Sequence, residues 1–227
     1  MASGHAAARR PRASMEDSRH MTMEEIGGRV ASVWAGLRPA TRSLVERALQ
    51  SPPPAAAPPP RSLSAHDARA EWELSRLLAA LDERVRERGA VALSAEQTRA
   101  LGYMAETCAL VLHQAAHTAE VFAQLFERAL HARDYKQVDT IADTLPARLP
   151  PSELCELARY PNPAVRALAH ETLAQAPTAT LVDLLADPVD ADVARDALAV
   201  QADEYGSDEA RWLLHALAHA EEMEDDD

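Results

Sequence analysis
His113, His117 and Glu120 follow one another at intervals of four and three residues. On a helix that spacing sets all three on one face, where two imidazoles and a carboxylate could ligate a transition metal. The same face holds Glu106, Gln124 and His131, away from the apolar row of Leu101, Leu112 and Phe126. A long helix needs one wet side, and this row supplies it, so the trio stands as a metal candidate beside that plainer role. His215 and His219 repeat the four-residue interval with less acidic support. No nucleophile lies in a recognisable setting, and there is no Gly-rich phosphate loop, G-x-S-x-G or Cys-x-x-Cys. The expectation is a chain with no catalytic residue and no cofactor.

The elements that would hold these residues are helical. Apolar residues make up 47% of the 227 positions, but aromatics only 4%, with seven glycines, abundant Ala, Leu, Arg and Glu, and no useful strand alternation. An all-α fold follows. Residues 1–21, Arg-rich at the start and without a hydrophobic core segment, read as a disordered tail rather than a secretory signal. Residues 22–50 read as amphipathic helix, with Ile26, Val30, Val33, Trp34 and Leu37 on one side, weakened at Gly27-Gly28 and broken near Pro39. The stretch 51–61, containing SPPPAAAPPP, favours polyproline II and forms a linker.

Residues 62–121 read as a helical hairpin. Ser64 with Asp67 opens its first helix, whose apolar side includes Trp72, Leu74, Leu77, Leu78, Leu81 and Val85, and Gly89 ends it. Ser94 and Gln97 form a capping box for a second helix that nothing local interrupts before about Arg133.

A period then appears across residues 122–221. Val138, Val165 and Val193 recur at 27 and 28 residues, as do Ala142, Ala169 and Ala197, and the clusters at Phe126, Leu154 and Leu181 precede them. Each unit is two short helices around a corner: Arg133-Asp134, Pro161-Asn162-Pro163 or Asp187-Pro188. Pro146, Pro150, Pro151 and Pro177 separate the units, a helix from Asp208 to Glu221 caps the series, and 222–227 reads as a solvated acidic tail. No pair can bury its own apolar side, so neighbours must cover each other.

The run Asn162-Pro163-Ala164-Val165-Arg166, with Ala169 and Leu173, resembles the second helix of HEAT repeats, particularly their short bacterial variants. The resemblance spans about residues 122–202 and implies a short α-solenoid of about three helix pairs with a capping helix. It implies a protein-binding scaffold, and, as the alternative, a HEAT-like lyase or isomerase acting on bilin chromophores. In related repeats the arginine reaches a neighbouring unit's acid, here Asp190 or Asp192, and Arg166 and His170 are the repeat's candidates for partner contact.

Charge narrows the partners. Residues 151–227 hold 18 acidic and four basic side chains, a net of −14, whereas residues 1–150 hold 18 and 19. Such a half repels phosphate backbones, which disfavours nucleic acid and leaves a basic or mixed-charge protein partner. No apolar run approaches the length of a membrane span. Cys108 and Cys155, both in apolar patterns, read as buried thiols of a reducing, cytoplasmic setting. The expected function is a non-enzymatic interaction or scaffold module. Ile26, Val30, Val33, Trp34 and Leu37 would form a tethered second contact, unless that helix docks on its own domain.

Overall fold
The computed structural model describes residues 23–51, 67–87 and 93–225, with side chains to 219. Ser64, Gly89, the tail 1–21 and the linker 51–61 (all but Ser51 of it) lie outside these. Among the described residues there are twelve helices and no strand, so the all-α expectation holds. The chain divides into two compact units: residues 1–58 with 72–111, and residues 59–71 with 112–227.

The first unit contains α1 (Met23–Ile26), α2 (Gly28–Gly36), α3 (Pro39–Gln50) and most of α4 (Ala68–Arg86) and α5 (Ala95–Ala115). Gly27 separates α1 from α2 at φ +157°, and a Cβ there would lie 3.1 Å from Arg84 Nε, which donates to the Ile26 carbonyl at 2.6 Å. The capping box that starts α5 is complete. The Ser94 amide donates to Gln97 Oε1 at 2.8 Å, and the Gln97 amide to Ser94 Oγ at 3.1 Å.

Ile26, Val30, Leu37 and Val45 are buried together with Leu74, Leu77, Leu78, Leu81 and Leu101. Of the two alternatives for the amino-terminal helix, the burial favours docking within its own unit, since burial in cis carries no association cost. Polar contacts fix that docking. Buried Glu73 accepts from Thr41 Oγ1 at 2.5 Å and from Arg38 Nε at 3.2 Å, Arg29 pairs with Glu83 at 2.8 Å, and Tyr103 Oη donates to the Leu49 carbonyl at 2.9 Å. Trp72 and Val85 depart from the expected buried side. Both are exposed, and Arg76 lies over the Trp72 ring at 4.7 Å, a cation–π contact.

The second unit runs α6 (Ala119–Ala132), α7 (Tyr135–Arg148), α8 (Pro151–Ala158), α9 (Pro163–Ala174), α10 (Thr178–Leu184), α11 (Ala191–Asp203) and α12 (Asp208–Asp225). α6 packs on α7, α8 on α9, α10 on α11 and α11 on α12. α8 also touches α6 and α10, and α9 touches α7 and α11. The corners fall where the sequence places them. Arg133 adopts the left-handed conformation at φ 56°, Asp134 accepts from the Gln137 amide at 3.1 Å, and Asn162 accepts from the Ala164 amide at 2.9 Å. Pro151 and Pro163 each stand in the first turn of a helix, where a missing N–H is harmless.

The period needs one adjustment. Buried positions recur at Ile141, Ala169 and Ala197 and at Leu145, Leu173 and Gln201, each set 28 residues apart. Val138 and Ala142 are only half-buried, so the 27-residue interval from Val138 picks out a neighbour of the buried row. Pro146 does not separate units: α7 runs through it to Arg148. In α12 Ala210 is buried and Leu213, Leu214 and Leu217 are half-buried, but Trp212 is 69% exposed, and the helix continues to Asp225 beyond the expected stop.

Candidate interaction groove
Within the second unit, α7, α9 and the start of α10 flank a solvent-open groove of about 610 Å³. Its floor is Leu149, Leu154 and Leu173, all buried, with Pro146, Leu168 and Pro177 toward the walls. Asp143 on α7 and Glu171 on α9 stand on opposite sides, both exposed. They are 28 residues apart, so each holds the same position in its own helix pair. Neither carboxylate has a cation or a donor among the described residues. Among the described residues no basic side chain lines the groove.

The basic side chains of the flanking helices are engaged elsewhere. Arg148 donates to the carbonyls of His113 and Gln114, the latter at 3.2 Å. Arg166 donates to the carbonyls of Tyr160 and Pro161 at 3.0 and 2.7 Å. Arg166 thus closes the corner of its own helix pair, which corrects the expected ion pair with Asp190 or Asp192. The acid is met instead by Arg159, whose Nη2 lies 2.9 Å from Asp190 Oδ1 while Nη1 takes the Val189 carbonyl at 3.0 Å. The reason is reach: the open carbonyls at the end of α8 lie five and six residues before Arg166, along the same turn of chain. His170, the other repeat candidate, is half-buried on α9.

His113, His117 and Glu120 do not share a helical face. The single long helix expected over this stretch is two, because α5 stops at Ala115 and α6 starts at Ala119. Three distant charged side chains make the break. Arg148 takes carbonyls at the end of α5. Glu71 Oε1 accepts from the His117 amide at 3.1 Å, the Thr118 amide at 3.2 Å and Thr118 Oγ1 at 2.8 Å. Glu153 Oε2 accepts from the Ala119 amide at 2.6 Å. Carboxylates at a helix start and a guanidinium at a helix end suit the backbone dipoles at both positions.

His113 is half-buried with Nδ1 unbonded, and burial, with Arg148 second, lowers its pKa from 6.5. His117 and Glu120 are exposed. Among the described residues no group of three His, Cys, Asp or Glu is gathered as a metal site. Ile26, Val30 and Leu37 are buried, and Val33 and Trp34 half-buried. Cys108 and Cys155 are buried and free, and burial followed by Asp190 raises the Cys155 thiol to about 11.

Sequence reasoning passed over Asp143 and Glu171. The one signal that finds them is the 28-residue period itself, which aligns an acid with an acid in successive pairs. A cleft of about 440 Å³ in the first unit is a weaker candidate, since both of its cations are already paired, Arg29 with Glu83 and Arg84 with Glu87 at 2.9 Å. No protein-family model matches this chain, and neither a curated protein nor a solved structure matches it.

Proposed function
We propose that this chain is a non-enzymatic protein-interaction module, an adaptor or subunit of a larger assembly. Its carboxyl-terminal unit acts as a short HEAT-like α-solenoid that presents a groove to a protein partner. The observation that supports this reading is the groove between α7 and α9: an apolar floor open to solvent, walled by two carboxylates that no other described residue engages. Apolar surface with a few unsatisfied polar groups is the usual composition of a recognition site. The 28-residue succession of helix pairs supports it as well, because stacked pairs offer a continuous face without needing a catalytic centre. Two reduced, buried cysteines suit a reducing compartment such as the cytoplasm.

Affinity capture from native extract tests the proposal, with wild-type protein beside a Thr172→Trp/Thr180→Trp variant that fills the groove. A protein retained by the wild type and lost from the variant supports it. Equal retention by both removes the groove from the reading, and the absence of any specific protein with the wild type refutes the reading itself.

A further inference from the structure
We propose that the groove between α7 and α9 takes a protein segment in which an arginine or lysine stands within about one helical turn of an aliphatic or aromatic anchor. This rests on the interaction reading above and names the chemistry of its partner.

The anchor follows from the floor. Leu149, Leu154 and Leu173 close the bottom of the groove, and Pro146, Leu168 and Pro177 continue the apolar lining upward. A volume of about 610 Å³ lies in the range of ligand-holding clefts, roughly 300–1,000 Å³. It accommodates apolar side chains and leaves room for the chain that bears them.

The cation follows from the walls. Asp143 and Glu171 bring two negative charges to one opening. Of the four basic or imidazole side chains on α7 and α9, Arg148 and Arg166 are bound to backbone carbonyls, and His170 does not line the groove. Lys136 lies two turns before Asp143 along α7, about 10 Å away at 1.5 Å per residue. Along the sequence, residues 151–227, which include α9 and the start of α10, carry a net charge of −14. A field of that sign concentrates cationic segments and repels polyanions. A guanidinium or ammonium entering the groove would gain the pairing that none of the described residues supplies. Gln175, exposed at the same wall, has an amide able to bond a visiting backbone in either sense.

A displayed library of random 12-residue peptides, selected against the full chain, reads this directly. Arg or Lys within four positions of Leu, Ile, Met or Phe should dominate the recovered sequences. Fluorescence polarisation of a recovered peptide should show at least tenfold weaker binding to D143K/E171K, about fivefold weaker to D143N/E171Q, and weakening from 50 to 300 mM salt. Selection on D143K/E171K should enrich Asp and Glu instead. The neutral pair decides the matter if the reversed one does not fold, since both positions are exposed and an amide replaces each carboxylate nearly isosterically.

Peptides with an apolar anchor but no basic preference would overturn this inference and leave the interaction reading standing. Basic peptides bound equally by D143N/E171Q would also overturn it, by moving the site elsewhere. Failure to recover any peptide would overturn this inference, and only the absence of any specific protein captured by the wild type would overturn the interaction reading as well.

Discussion
Replacing Glu71 with alanine should cost about 3 kcal/mol and loosen the junction between α5 and α6. Glu71 is 3% exposed, and its Oε1 serves two backbone amides and one hydroxyl at that junction. A hydrogen bond to a charged group contributes about 1.5–3 kcal/mol, and loss of a helix amino-terminal cap costs about 0.5–2 kcal/mol. The three bonds share one oxygen and are not additive, which places the total near 3 kcal/mol rather than near their sum. Glu71→Gln keeps an acceptor oxygen but removes the charge facing the start of α6, so its cost should be only about 1 kcal/mol. Urea unfolding of wild type and both variants measures the totals. Amide hydrogen exchange locates them: His117 and Thr118 should lose protection by about a hundredfold in the alanine variant, at 1.4 kcal/mol per factor of ten. If Glu71→Ala cost under about 1 kcal/mol and those amides exchanged as in the wild type, the account of the break would be wrong, and a continuous helix would be the better description.

Arg159→Ala and Asp190→Ala should each destabilise by about 1 kcal/mol and couple in a double-mutant cycle, whereas Arg166→Ala should add independently to Asp190→Ala; coupling with Arg166 instead would restore the ion pair expected from sequence. His113 titrates below 6.5 when folded, so above pH 6.5 both states are neutral and it has no effect, while stability falls as pH drops from 6.5 toward the lower folded value. Accordingly His113→Leu should flatten the thermal stability curve between pH 7 and 5, and an unchanged slope would remove His113 from that dependence. Cys155, 0% exposed and raised to about 11, should react with a thiol reagent at pH 8 only as fast as the unit opens, so its labelling should rise with urea in step with unfolding; rapid labelling of the native chain would contradict its placement.

Local rules account for the parts that were legible. The Ser94–Gln97 capping box, the Asn162 cap and the helix starts at Pro151 and Pro163 depend on residues within three or four positions of one another. Their outcome needs no distant partner. The 28-residue succession is legible for a similar reason, since a repeated apolar pattern must meet itself one pair later. Even there the row read at the first pair, Val138 and Ala142, lies beside the buried one, Ile141 and Leu145, which packing selects.

The candidate site was far less legible. Asp143 and Glu171 look like any exposed acids until α7 and α9 are side by side and the basic groups nearby are seen bound to carbonyls. By itself the amino-acid sequence determined helicity, the corners and the spacing of the helix pairs, because propensity, proline and capping act over a few residues. Tertiary structure alone decided where α5 ends, which side of the amino-terminal helices is covered, and which arginine meets Asp190. Each depends on groups more than thirty residues apart, such as Glu71 with Thr118, Arg148 with Gln114, Glu73 with Thr41 and Arg159 with Asp190. Charges and amides that far along the chain find one another only after the helices have packed, and no local pattern records the meeting.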